Sequence, residues 1–176
     1  FASYKRGTGG NKALPAPEEE FGEGTSRMQI FTAGVDFTYP FTIGNQPFRF
    51  NTSWNGQWNG TPLTQQDKFS IGGRYTVRGF DGELSLSGEK GWLWRNELGW
   101  NIANKGHELY LGIDRGKVHS SQEELQIGDS LMGGAIGLRG KLWGINYDYF
   151  VGVPIKKPEG FRTSHVTTGF NVSYRF

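Results

Sequence analysis

The segment WLWRNELGWNI, residues 92–102, alternates bulky apolar residues with polar ones. Successive side chains of a β-strand point to opposite sides, so one face of this segment is apolar. The residues on that face are Trp92, Trp94, Leu98, Trp100 and Ile102. The opposite face carries Arg95 and Glu97 near its middle. An apolar stripe with aromatic residues toward its ends, backed by a charged face, is typical of a strand that crosses a membrane as part of a β-barrel.

The same alternation recurs along the chain and predicts seven strands, with an eighth possible at the chain start, FASYKRG (1–7). The seven segments are MQIFTAGVDFTYPF (28–41), FRFNTSWNGQW (48–58), WLWRNELGWNI (92–102), HELYLGIDRGKV (107–118), MGGAIGLRGKL (132–142), GINYDYFVGVPI (144–155) and HVTTGFNVSYRF (165–176).

The composition supports strands rather than apolar helices. The 176 residues suit one domain, and 15% of them are aromatic. Mean hydropathy is nevertheless −0.55, and no stretch approaches the ~18 apolar residues of a membrane-spanning helix. We therefore predict an all-β fold, a transmembrane antiparallel up-and-down β-barrel of the bacterial outer membrane. A soluble barrel with an apolar interior is disfavoured by charges in mid-strand. These are Arg49, Arg95, Glu97, Asp114, Arg139, Lys141, Asp148 and Arg175.

The lengths of the connections predict how the barrel is oriented. Connections at 42–47, 103–106 and 143–144 are short, and those at 8–26, 59–91, 119–130 and 156–164 are long. Short and long connections alternate. In bacterial barrels the short turns face the periplasm and the long loops face outside. We therefore expect a periplasmic C-terminus.

The connection 59–91 is unusual because it contains apolar residues, which predict that it is buried inside the barrel. Arg78 in this connection would then need a carboxylate and further hydrogen bonds to offset desolvation. Asp114 is the favoured partner, because small residues flank it. Glu97 and Asp148 also point inward and remain alternatives.

The sequence does not predict an enzyme, a metal site or a cofactor. It contains no cysteine, and its three histidines and scattered carboxylates lack ligand spacing. Serines adjoin two of the histidines, but neighbours on a strand point to opposite sides and do not form a catalytic pair. The residues concerned are His107, His119, His165, Ser120, Ser121 and Ser164. The net charge of +2 predicts no affinity for nucleic acid.

Two motifs carry a resemblance to a known family. VRGF (77–80) lies in the long connection, and GIDRGKV (112–118) supplies Asp114, Gly116 and Val118. With the SYKRGTG start and the GFNVSYRF end, they resemble the outer-membrane transporters of two-partner secretion, the TpsB, haemolysin-activator or contact-dependent inhibition type. The resemblance implies that the loop folds into the barrel and that Arg78 pairs with Asp114. Val77, Gly79 and Phe80 would shape the loop tip. A bulkier residue than glycine is expected at Gly112.

The resemblance also implies a function. Such transporters have a sixteen-stranded barrel and two periplasmic POTRA domains. This chain, residues 1–176, resembles the C-terminal half of that barrel, with no POTRA domain present. The implied function is a pore that exports an unfolded exoprotein, such as an adhesin, haemolysin or contact-dependent toxin. The residues expected to line the lumen are Arg49, Arg95, Glu97, Asp114, Arg139, Lys141 and Asp148.

The end of the chain resembles the signal by which the outer-membrane assembly machinery recognises barrels. Its residues are Gly169, Phe170, Val172, Tyr174 and Phe176. Other expected partners are the lipid bilayer and either the N-terminal barrel half or a second copy of the chain. Two alternatives remain open: a minimal eight-stranded barrel without transport activity, and an assembly factor of the same superfamily.

Overall fold

The computed structural model describes residues 1–8, 14–22, 24–102, 106–121 and 127–174. The expected turn residues 103–105, together with Arg175 and Phe176, lie outside this part of the chain. Within the ranges that the structure describes, two short 3-10 helices occur, at Pro17–Phe21 and Gln65–Asp67. Among the described residues, no helix is long and apolar enough to cross a membrane. The strands are β1 (Ala2–Arg6), β2 (Gln29–Ile43), β3 (Gln46–Asn59), β4 (Phe69–Ile71), β5 (Leu86–Gly88), β6 (Lys90–Ile102), β7 (His107–His119), β8 (Ser130–Leu142), β9 (Ile145–Lys156) and β10 (Thr167–Tyr174).

Eight of these strands form one antiparallel sheet in the order β1-β2-β3-β6-β7-β8-β9-β10. The all-β, up-and-down prediction is therefore confirmed. The possible eighth strand at the chain start is present as β1, where Ala2 pairs with Ala33 of β2. Within the described chain, β1 and β10 form the two edges of the sheet and do not pair with each other. This open order does not support a closed eight-stranded barrel.

The two faces of the sheet differ as the alternation predicted. On β7, Leu109, Leu111 and Ile113 are exposed, whereas Tyr110 and Asp114, which point to the opposite side, are buried. We call the side of the exposed residues the apolar face and the side of Asp114 the charged face. Aromatic rings gather toward both ends of the apolar face. The ring contacts are Tyr39–Phe41, Phe41–Phe48 and Phe48–Trp100 at one end, and Phe31–Trp58 and Trp54–Trp58 at the other.

The long connection between β3 and β6 packs against the charged face. It contains a two-stranded sheet, in which Phe69 of β4 pairs with Gly88 of β5. The sequence did not predict this sheet, because strands of three residues are too short to show alternation. A small hydrophobic core joins this connection to the strands β6, β7 and β8, which we call the wall strands, and to one residue of the β9–β10 loop. Its buried members are Ile71, Val77, Phe80, Leu86, Leu93, Val118, Leu131 and Phe161.

Candidate functional site

The centre of the site is a bidentate ion pair between Arg78 and Asp114. The Arg78 Nε and Nη2 atoms donate to the two Asp114 carboxylate oxygens at 2.8 and 2.7 Å. The Arg78 backbone N–H also donates to Asp114 Oδ2, at 2.9 Å. Asp114 is fully buried and Arg78 is 5% exposed. Paired planar geometry of this kind is the strongest form of charge-assisted hydrogen bond in proteins.

A second carboxylate completes the coordination of the guanidinium. Arg78 Nη1 donates to Glu97 Oε2 at 2.6 Å, and Nη2 also donates to the Asn96 carbonyl at 3.1 Å. All three guanidinium nitrogens therefore have acceptors. Removing one partner of a buried, fully bonded pair costs ~3–5 kcal/mol, because the remaining charge is left uncompensated.

The three carboxylates considered from the sequence thus have different positions. Asp114 and Glu97 both contact Arg78, whereas Asp148 accepts a hydrogen bond from the Tyr110 hydroxyl at 2.7 Å. Arg95 lies beside the pair, with its Nε 3.6 Å from Asp114 Oδ2. Arg78 is therefore shared by two strands, β6 and β7, which fixes the loop tip across their junction.

Three glycines on neighbouring strands form the surface on which the tip lies. We call Gly112, Gly133 and Gly152 the glycine seat. A β-carbon at Gly112 would overlap the Arg78 guanidinium, and one at Gly133 would overlap the Arg78 carbonyl oxygen. A β-carbon at Gly152 would lie 2.8 Å from the Gly79 nitrogen. The expectation of a bulkier residue at Gly112 is therefore wrong, since such a residue would fill the space occupied by the guanidinium.

The VRGF residues have distinct roles in this contact. Val77 and Phe80 are fully buried in the small core. Gly79 has a φ of +102°, a conformation that glycine adopts most readily, and a β-carbon there would overlap the Val153 carbonyl. Gly116 leaves room for Ile71, whose Cγ2 would lie 3.0 Å from an added β-carbon. Glycines on both sides thus allow the two backbones to approach closely.

A row of alternating charges continues from Arg78 across the charged face. Glu97 also binds Arg139, which binds Glu108, and Glu108 accepts from Arg49 Nη2 at 2.8 Å. Glu108 was not singled out in the sequence, although it shares the strand parity of Asp114. Lys141 is exposed and lines the same recess as Arg49 and Arg139.

The remaining residues considered from the sequence lie on the terminal strand β10 and at the histidines. On β10, Phe170, Val172 and Tyr174 are exposed on the apolar face, and a β-carbon at Gly169 would overlap the Phe150 ring. His107 contacts the Tyr147 hydroxyl at 2.8 Å. Within the described ranges, no group of three or more histidine, aspartate or glutamate side chains could hold a metal ion.

An up-and-down antiparallel sheet with an exposed apolar face, aromatic rings toward both ends and a charged opposite face defines a class of protein, the transmembrane β-barrel. The long connection between β3 and β6 packs on the charged face of this sheet. Comparison with known proteins identifies the family. The model of the family described as haemolysin secretion/activation protein ShlB/FhaC/HecB matches residues 2–140, and the chain belongs to this family.

Relatives and solved structures agree with this assignment. The chain is 38% identical to outer membrane transporter CdiB-2 of Burkholderia pseudomallei strain 1026b, over 99% of this chain and 30% of that protein. It is 26% identical to CdiB of Dickeya dadantii strain 3937, over 99% of this chain and 31% of that protein. The structure of CdiB from Acinetobacter baumannii aligns at a TM-score of 0.77 and 33% identity, over 83% of this chain and 27% of that one. CdiB from Escherichia coli aligns at 0.85 and 23% identity, over 97% and 32%. The chain spans less than one third of the length of these relatives.

Proposed function

We propose that this chain forms part of the wall of an outer-membrane pore that exports an unfolded exoprotein in two-partner secretion. The observation that carries the proposal is the Arg78–Asp114 pair, which holds a long loop against the charged face. The apolar face would meet lipid and the charged face would line the lumen. Relatives named as outer membrane transporters support this assignment.

The chemistry of the charged face suits an unfolded polypeptide. An extended chain has peptide groups that need hydrogen-bond partners or water. The row from Arg78 to Arg49 keeps the wall hydrated and offers both donors and acceptors, without an apolar surface on which the chain would adhere. Folding of the exoprotein outside the cell would make export directional, so neither a nucleotide nor a cofactor is required.

The remaining parts of the transporter follow from the same proposal. Edge strands cannot remain unpaired in lipid. The edges of β1 and β10 would therefore pair with further strands of a sixteen-stranded barrel, and periplasmic POTRA domains would bind the exoprotein. The assembly machinery would recognise β10 through strand pairing, with the C-terminus in the periplasm.

The test compares two arginines of the same loop. In the whole transporter, Arg78→Ala should strongly reduce exoprotein export while leaving the amount of folded transporter in the outer membrane nearly unchanged. Arg74 is exposed, so Arg74→Ala is the matched control and should export normally. Export by Arg78→Ala at the level of Arg74→Ala would rule out the proposed role of the loop.

A further inference from the structure

The loop between β9 and β10 contacts the part of the long loop that follows Arg78, at Phe80 and Asp81. Phe161 is 2% exposed, and its ring meets the Phe80 ring edge-on, at 5.8 Å between centroids and 83° between planes. The Phe161 N–H donates to the Pro158 carbonyl at 3.2 Å, and Lys157 Nζ donates to the Phe161 carbonyl at 2.7 Å. This local turn presents Phe161 to the core rather than to solvent.

Asp81, the residue after Phe80, makes a polar contact with the same β9–β10 loop. The Ser164 N–H donates to Asp81 Oδ2 at 2.6 Å, and the Asp81 N–H points to the Thr163 hydroxyl at 3.5 Å. The hydrogen bond from the Ser164 N–H holds the pKa of Asp81 at about 2. The carboxylate is therefore charged at neutral pH, and changes of pH near neutrality do not switch this contact.

The long loop thus has two kinds of anchor. Arg78 and Val77 contact wall strands, which are continuous with the sheet. Phe80 also lies against Gly133 of β8, but Phe80 and Asp81 are held in addition by residues 157–164, which belong to a connection. Connections have lower local stability than the strands that they join. The second anchor can therefore open while the sheet remains intact.

We propose that residues 157–164 form a clasp, which must open before the long loop can move off the charged face during export. Phe161 and Asp81 are positioning residues, since they act through the loop that carries Arg78. This inference rests on the proposed export function and adds the step that controls it. Opening the clasp removes the contacts that Phe161 and Ser164 make with Phe80 and Asp81. The tip is then held by Arg78, Val77 and the glycine seat.

A reversible crosslink tests the clasp. Asp81 and Ser164 are replaced by cysteine in the whole transporter, in a background with no other cysteine. Export is then measured for the oxidised and reduced forms of the same protein. We expect oxidation to reduce export several-fold and a reductant to restore it. A purely structural contact would not respond in this way, because a crosslink preserves it.

The control crosslinks the long loop to itself. Ser70 and Ser87 are register partners in β4 and β5, so a Ser70→Cys, Ser87→Cys disulfide stabilises the loop without attaching it to the clasp. Oxidation of this pair should leave export unchanged. Equal export by the oxidised and reduced forms of the Asp81–Ser164 pair would overturn the clasp proposal.

A second measurement does not depend on export. Val77 is fully buried, so a cysteine at position 77 is labelled by a maleimide only when the loop leaves its site. Phe161→Ala should raise the labelling rate several-fold and Phe161→Leu less, whereas Phe37→Ala, which removes an exposed ring, should not change it. Unchanged labelling in Phe161→Ala would overturn the clasp proposal. Changed labelling in a protein that exports nothing would instead refute the proposed function alone.

Discussion

Arg78 is a buried cation whose two carboxylate partners come from neighbouring strands. The resemblance carried by its motif predicted the loop contact, and three inward-facing carboxylates, Asp114, Glu97 and Asp148, were considered as partners. The sequence could not choose among them, because the choice depends on the register of β6 against β7. In that register Arg95 pairs with Asp114 and Glu97 with Gly112. Glu97 therefore lies one pleat from Asp114 on the same face, and the guanidinium reaches both.

The shape of the guanidinium matters as much as its charge. Lysine carries the same charge on a compact ammonium group and lacks the planar fork that matches a carboxylate in bidentate fashion. We predict that the lysine of Arg78→Lys pairs with Asp114 through one contact rather than two and therefore binds the loop to the sheet less tightly. Export by this variant should be closer to that of Arg78→Ala than to that of the unmodified transporter. Secretion measured for the three proteins at equal transporter levels checks this order, and full export by Arg78→Lys would show that charge alone suffices.

At the scale of elements, seven of the eight strands of the large sheet could be predicted because their alternation extends over many residues, whereas the five-residue β1 could only be given as possible. The glycine seat could not be predicted, since its members become neighbours only through the registers of β7 with β8 and β8 with β9. Gly112 pairs with Ala135, which in turn pairs with Gly152. The clasp was also missed, because nothing in the sequence of a polar connection identifies one phenylalanine as its buried residue.

Two adjacent glycines of β8 provide a matched test of the seat. A β-carbon at Gly133 would overlap the Arg78 backbone, whereas one at Gly134 would lie 3.1 Å from the flexible end of Ile155 on the other face. We predict that Gly133→Ala displaces the loop tip and that Gly134→Ala does not. Maleimide labelling of a cysteine at position 77 reports this displacement. Slow labelling in both variants would mean that the tip does not need the seat.

At the scale of the whole molecule, the linear order of the sheet predicts that one copy of the chain does not close. Cysteines at Ser3 in β1 and Ser173 in β10 should give no crosslinked monomer when the chain is refolded in micelles. The control pair is Ser3→Cys with Thr32→Cys, because these residues are register partners with hydroxyl oxygens 2.8 Å apart. That pair should oxidise readily. A crosslinked monomer from the Ser3 and Ser173 pair would instead support a self-contained eight-stranded barrel.

If export depends on the loop being held at Asp114, an isosteric substitution of this carboxylate should severely reduce it. Asp114→Asn preserves the shape of the side chain but leaves the buried guanidinium without its main counter-charge, a loss of about 3–5 kcal/mol. Asp129→Asn is the control, because Asp129 pairs with Lys117 at the surface, where both side chains are about half exposed. We would measure exoprotein at the cell surface per transporter in the outer membrane. We expect a severe loss for Asp114→Asn and normal export for Asp129→Asn, and equal export by the two variants would show that export does not depend on the buried ion pair.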